Sequence, residues 1–200
     1  TAANNGDITY AHSRRHSQYQ ANRGHLYSVS MFIPNPDDNA IEDFGLFTDI
    51  DGVFFRVTVN GELYACIQSD GTVTHQEKIN MPFELDLSKG NVFDIQFQWR
   101  GVGRYRFFAG NPHTKKLEVI HEITHLNSSI SLSIQNPSLS ASYRVTSLGD
   151  AGELQSGCVD ISTEGGHDGD GQYISAEALE KTISGTNVPV LIIRSPPTIN

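Results

Sequence analysis

The feature that most constrains the fold is the strict alternation in Val92-Phe-Asp-Ile-Gln-Phe-Gln-Trp99. Phe93, Ile95, Phe97 and Trp99 fall on one side and Asp94, Gln96 and Gln98 on the other, which is the pattern of a half-buried strand. Arg100-Gly-Val-Gly103 punctuates the run and Arg104-Tyr-Arg-Phe-Phe108 resumes it, so the two segments read as a hairpin. Residues 53–59 and 62–68 flank Asn60-Gly61, a pair suited to the positive φ angles of a type I′ turn. Asp70-Gly71 repeats the device before residues 72–77, giving three neighbouring strands. Further strands are predicted at 25–33, 44–47, 117–125, 130–134 and 143–148, separated by Pro, Asn, Gly and Ser clusters. Such regular spacing predicts an all-β, antiparallel β-sandwich of jelly-roll type.

Only Ser175-Ala-Glu-Ala-Leu-Glu-Lys-Thr-Ile183 has helical character, so at most one short helix is expected, near the C-terminus. The domain reading is an N-terminal arm at 1–24 and a β-sandwich at 25–150. Residues 151–200 then form a C-terminal extension or the start of a second β subdomain. Starting at Thr1 and stopping just after an apolar strand-like run, the chain reads as a processed form or a piece of a longer protein. Apolar runs such as residues 190–193 fall far short of the roughly 20 residues of a spanning helix. A net charge of −9 opposes contact with phosphate backbones and anionic lipid, so neither nucleic acid nor membrane is an expected partner. Cys66 and Cys158 are too few and too far apart for a disulfide framework or a metal clamp. They read as two buried thiols, with a disulfide between them as the alternative.

His121-Glu-Ile-Thr-His125 matches H-E-x-x-H, which on a helix would present two imidazoles to zinc with the glutamate as general base. The neighbouring residues alternate instead. Leu117, Val119, His121, Ile123 and His125 fall on one side, so a strand would send Glu122 away from both histidines. The zinc hydrolase reading is therefore a remote alternative, and no metal or cofactor is expected. Asp168 and Asp170, with Glu164 or Asp160, have the oxygen chemistry of a calcium loop without EF-hand spacing. Asp37-Asp38 and Asp49-Ile-Asp51 share that chemistry and read first as turn residues. Ser13-Arg-Arg-His16, Tyr19, Arg23 and His25 form a basic and aromatic cluster read as a solvated segment along the domain. No nucleophile elbow, catalytic cysteine context or P-loop is present, so no catalytic residue is named. Candidate partner or glycan contacts are Arg100, Arg104, Tyr105, Asp37, Asp38, His167, Asp168 and Asp170, while Trp99 shares the apolar face of its strand and reads as core.

Four phrases stand out as a set: Ser13-Arg-Arg-His-Ser-Gln-Tyr-Gln-Ala-Asn-Arg-Gly24, Asp51-Gly-Val-Phe-Phe55, the run from Leu85 to Trp99, and Arg106-Phe-Phe-Ala-Gly-Asn-Pro112. Together with Asn136-Pro-Ser-Leu139 and Asn187-Val-Pro-Val-Leu-Ile-Ile-Arg194, this set resembles a family of β-rich virion proteins of tailed bacteriophages and large DNA viruses of aquatic hosts. The chain departs from that family at Asn22-Arg23-Gly24 and in the His121–His125 strand. The resemblance implies a non-enzymatic virion structural protein, a capsid-surface, tail or fibre component located in the virion. Its implied partners are other virion proteins and copies of itself. The alternative is a glycan- or receptor-binding adhesin module of a viral fibre.

Overall fold

The computed structural model describes residues 4–20, 23–99, 103–127 and 131–163. These form an antiparallel β-sandwich, with no helix among the described residues. The strands are β1 (Ile8–His16), β2 (His25–Phe32), β3 (Ala40–Phe47), β4 (Gly52–Val57), β5 (Leu63–Ser69), β6 (Thr72–Lys78), β7 (Asn91–Gln98), β8 (Arg104–Gly110), β9 (Leu117–Thr124), β10 (Ser140–Ser147) and β11 (Gln155–Thr163). A six-stranded sheet runs β1-β10-β3-β4-β5-β6 and a five-stranded sheet runs β11-β2-β7-β8-β9. The predicted helix at 175–183 lies outside the described residues.

The core follows from the alternation. Phe93, Ile95 and Phe97 of β7 point inward and are fully buried, as do Tyr105 and Phe107 of β8. They meet Phe44 and Leu46 of β3 and Val53, Phe55 and Val57 of β4. Ring contacts of 5.2 Å between Phe44 and Phe93 and 5.1 Å between Phe55 and both Phe93 and Phe107 lock the two sheets together. Trp99 is only partly buried, and its indole N–H donates to the Ile134 carbonyl at 2.8 Å.

The sandwich extends beyond 25–150 in both directions. β1 pairs with β10, so the segment read as an arm supplies an edge strand, and β11 pairs with β2. Both strands are largely exposed on both sides, so neither carries an apolar alternation. Residues 131–134, read as part of a strand, are not one. They are pinned instead through Asp51, whose carboxylate accepts the Gln135 and Asn136 N–H groups at 3.1 and 3.0 Å.

The two hairpin turns differ in kind. Asp70 and Gly71, at φ 51° and 73°, make the predicted type I′ turn. Gly61 alone is positive in the first hairpin, at φ 69°, while Asn60 is not. There the Gly61 N–H donates to the Thr58 carbonyl at 2.8 Å and the Thr58 N–H to the Glu62 carbonyl at 3.0 Å, the geometry of a type I turn closed by a glycine bulge. Of the two thiols read as buried, Cys66 is buried and Cys158 is exposed on β11, and both are free.

Candidate ligand-binding face

Antiparallel register assembles one transverse row on the outer face of the six-stranded sheet. Tyr10 lies opposite Arg144, Arg144 opposite Asp43, Asp43 opposite Arg56, Arg56 opposite Tyr64 and Tyr64 opposite Lys78. Asp43 sits at the centre with its side chain 1% exposed. Arg56 donates to Asp43 Oδ1 from Nε at 2.7 Å and to Oδ2 from Nη2 at 3.0 Å. Arg144 donates to Oδ2 from Nε at 2.9 Å and from Nη2 at 2.6 Å. This clamp is charge-assisted and fork-shaped, so it holds both planar guanidiniums in one orientation.

The next row explains why the clamp sits tightly. Phe54 of β4 and Cys66 of β5 are opposite each other, and with Phe47 they form a small, fully buried cluster on this outer face. The guanidinium of Arg144 lies 5.2 Å from the Phe47 ring centroid and 5.8 Å from that of Phe54, and Arg56 lies 5.5 Å from Phe54. The arginines thus roof an aromatic layer while remaining 16% and 19% exposed. Burial pushes the Cys66 thiol up to about 12, so it acts here as a small apolar side chain. Arg56 Nη1 donates to Gln76 Oε1 at 2.9 Å, and Tyr64 donates to Glu62 Oε2 at 2.9 Å with Lys78 on the other oxygen of Glu62. The result is a fixed polar surface containing two guanidiniums around one carboxylate, a phenol, an amide and a lysine–glutamate pair.

Among the described residues, those predicted as contacts do not converge. Arg104 lies on the outer face of the other sheet, 3.9 Å from Glu122, which Arg106 engages at 3.0 Å. Tyr105 on the same strand is fully buried, shares a 2.6 Å hydrogen bond with Ser133, and has its phenol pushed up to about 12 by burial. It is a core residue and presents no surface for stacking. Asp37 is exposed in the β2–β3 connection, and Asp38 turns toward Glu42. Arg100, His167, Asp168 and Asp170 lie outside the described residues.

The H-E-x-x-H segment is strand β9 and the residue just past it. Glu122 faces outward to Arg106, as alternation predicts, while His121 bonds Glu77 of β6 at 3.1 Å and His125 stacks edge-on against His75 at 4.7 Å. Burial and the neighbouring His75 lower the affinity of His125 for a proton. A bulge opposite Phe107 and Phe108 shifts the alternation, so Leu117 and Val119 face solvent and Ile120 takes the inward place. The single face predicted for Leu117 through His125 is therefore split.

Asp43, Arg56 and Arg144 were missed because their proximity exists only through strand pairing. The local signal was a charge inside an otherwise apolar strand, as in Val53-Phe-Phe-Arg-Val57.

No family model and no curated protein matches the chain. Among solved structures it is similar to arcelin-5, a lectin-like defense protein from Phaseolus vulgaris, with a TM-score of 0.54 and 11% identity over 82% of each chain. It is similar to a glycoside hydrolase family protein from Mycobacterium thermorestibile, with a TM-score of 0.52 and 13% identity over 74% of this chain and 66% of that one. Chicken galectin 2 aligns over 76% of this chain and 97% of its own at 9% identity and a TM-score of 0.40. At these identities the likeness to arcelin-5 and to the glycoside hydrolase family protein shows the sandwich fold alone.

Proposed function

We propose that the chain is a glycan-binding module and that its ligand docks on the Tyr10–Lys78 row, over Arg56 and Arg144. The observation that carries this reading is the clamp of two half-buried guanidiniums by one buried carboxylate. Sugar hydroxyls are bound by donors and acceptors held at fixed spacing, and donors already ordered by the fold lose little entropy on binding. The fold shared with arcelin-5, which is described as lectin-like, supports the reading. A glycosidase needs two carboxyl groups flanking the scissile bond, one of them with a raised pKa. On this face Asp43 is taken up by two arginines, and hydrogen bonds from Lys78 and Tyr64 lower the pKa of Glu62. Binding without turnover fits those partners better than hydrolysis.

The proposed setting is the surface of a virus particle, with other virion proteins and copies of the chain as neighbours, and it rests on the sequence resemblance. A purely structural virion role is the second reading. Leu117 and Val119 favour it, since these apolar side chains on edge strand β9 are 46% and 47% exposed.

A glycan array with the purified protein, followed by titration of its best hits, tests the proposal. Arg144→Ala and Arg56→Ala should each weaken binding by at least about tenfold, the loss of a charged hydrogen-bond donor. Absence of any hit, or unchanged affinity in both variants, overturns it. Cleavage of a bound glycan, read by mass spectrometry, would reject binding without turnover.

A further inference from the structure

Where the β2–β3 connection meets the β10–β11 connection, the sandwich gathers three carboxylates, those of Asp38, Glu42 and Asp150. Glu42 of β3 is 0% exposed, and neither of its carboxylate oxygens accepts a well-formed hydrogen bond, although its own main-chain N–H lies near. Both oxygens of Asp38 are also buried without a well-formed hydrogen bond, the Ala40 N–H being the main-chain donor that lies near. The two side chains face each other at hydrogen-bond range, and Asp150 lies close enough to Asp38 to repel it. Asp150 is exposed, and its Oδ2 accepts the Asn39 N–H at 3.3 Å, which ties it to the same connection. None of the ion pairs among the described residues involves Asp38, Glu42 or Asp150.

Ionised carboxylates only accept hydrogen bonds, so two of them buried face to face require something positive between them. A proton or a metal cation satisfies that requirement. Gly152 packs directly over the group: a Cβ there would stand 3.0 Å from Glu42 Oε1 and 2.5 Å from the Ala40 Cβ. Ala40 Cβ, with Val145 Cγ1 at 2.7 Å, leaves no room for a side chain at 152, so the main chain there lies beside Glu42.

We propose that Asp38 and Glu42, completed by Asp150 and main-chain carbonyls, form a calcium-type divalent cation site that ties the 33–39 connection to the 148–152 turn. The donor set is entirely oxygen, without His or Cys, which selects a hard cation over zinc or copper. Irregular loop geometry suits calcium, which accepts variable coordination, better than magnesium, which demands an octahedron. No three such side chains already surround one point among the described residues. Asp150, exposed to solvent, supplies the third carboxylate by turning its side chain, so the cation enters from its side. A cation entering between the two facing carboxylates takes the place of the proton they otherwise share.

The test is thermal unfolding of the EDTA-dialysed protein at neutral pH. Samples carry about 1 mM calcium chloride, the same magnesium chloride, or sodium chloride of equal ionic strength. Calcium at about 100 times its Kd should raise Tm by roughly 5–10 °C, with sodium inert and magnesium weaker. Titration calorimetry in buffers of different ionisation enthalpy should show one equivalent bound with release of a proton. Glu42→Gln, a neutral isostere, should abolish the Tm rise, and Asp150→Asn, a change at an exposed residue, should weaken affinity about tenfold. An unchanged Tm in the wild-type protein overturns the proposal and leaves a shared proton between Asp38 and Glu42. An equal calcium effect in Glu42→Gln also overturns it, since the cation then binds elsewhere.

Discussion

Glu42 makes the stability of this fold depend on pH in a direction opposite to that of most carboxylates. Desolvation is the main cause, followed by the charges of Asp38 and Asp43, and together they raise its pKa from 4.5 to about 8. Between those values the folded chain keeps a proton that the unfolded chain has lost. Stability is therefore full below the unfolded value and falls as pH rises through the folded one, by about 1.4 kcal/mol per pH unit. Across the interval the loss comes to about 5 kcal/mol, a large share of the roughly 5–15 kcal/mol that holds a domain together. Asp38, also raised by burial and by Asp150, changes stability in the same direction. Urea unfolding in EDTA from about pH 5 to about pH 9 should show wild-type stability declining steeply, while Glu42→Gln stays nearly flat and overtakes it at the alkaline end. Curves for the two proteins that run parallel would refute the reasoning, because the slope would then belong to other groups.

Three further outcomes follow from packing. Phe97→Ala should cost about 3–5 kcal/mol in urea unfolding, since the ring is fully buried between the sheets; a loss below about 1 kcal/mol would place it outside the core. Gly45→Ala should destabilise by about 1–3 kcal/mol through overpacking, because its Cβ would lie 2.6 Å from the Phe54 Cα; unchanged stability would mean the two strands separate freely. With a thiol reagent under native conditions, exposed Cys158 should react quickly and Cys66, buried with its thiol raised to about 12, only on unfolding. Equal rates would contradict that burial.

The fold was legible wherever one side of a strand is buried and the other wet. β7 and β8 show this most clearly, because Phe93, Ile95 and Phe97 alternate with polar residues. β1 and β11 were illegible for the converse reason: with both sides open to solvent, backbone pairing holds them and leaves no apolar trace. β9 was half legible. Its bulge inserts one residue and exchanges the two faces, and nothing in Leu117–Thr124 announces where that happens. The candidate site lies further from view, since residues 43, 56 and 144 meet only after β3, β4 and β10 have paired. Glu42 and Asp43 are adjacent acidic residues that alternation sends to opposite sides of β3, one into the core and one to the arginine clamp.

Whether that clamp serves stability or ligand binding can be decided by replacing it whole. Desolvating Asp43 and two guanidiniums costs much of what their attraction returns, and exchanging a buried ion triad for apolar side chains is often neutral or stabilising by about 1–4 kcal/mol. The surroundings favour such an exchange, because Phe47, Phe54 and Cys66 already form an apolar floor under the arginines. Removing only Asp43 is a different perturbation: it strands two charges and should cost about 3–5 kcal/mol. The triple variant Asp43→Val, Arg56→Leu, Arg144→Met should therefore unfold at a temperature equal to or above wild type, yet lose every glycan that the wild-type protein binds. If the triple variant kept those glycans, the row would be a strut between β10, β3 and β4 and the ligand would dock elsewhere. If instead it failed to fold while Asp43→Ala folded well, the premise that stability does not need the ionic row would be wrong.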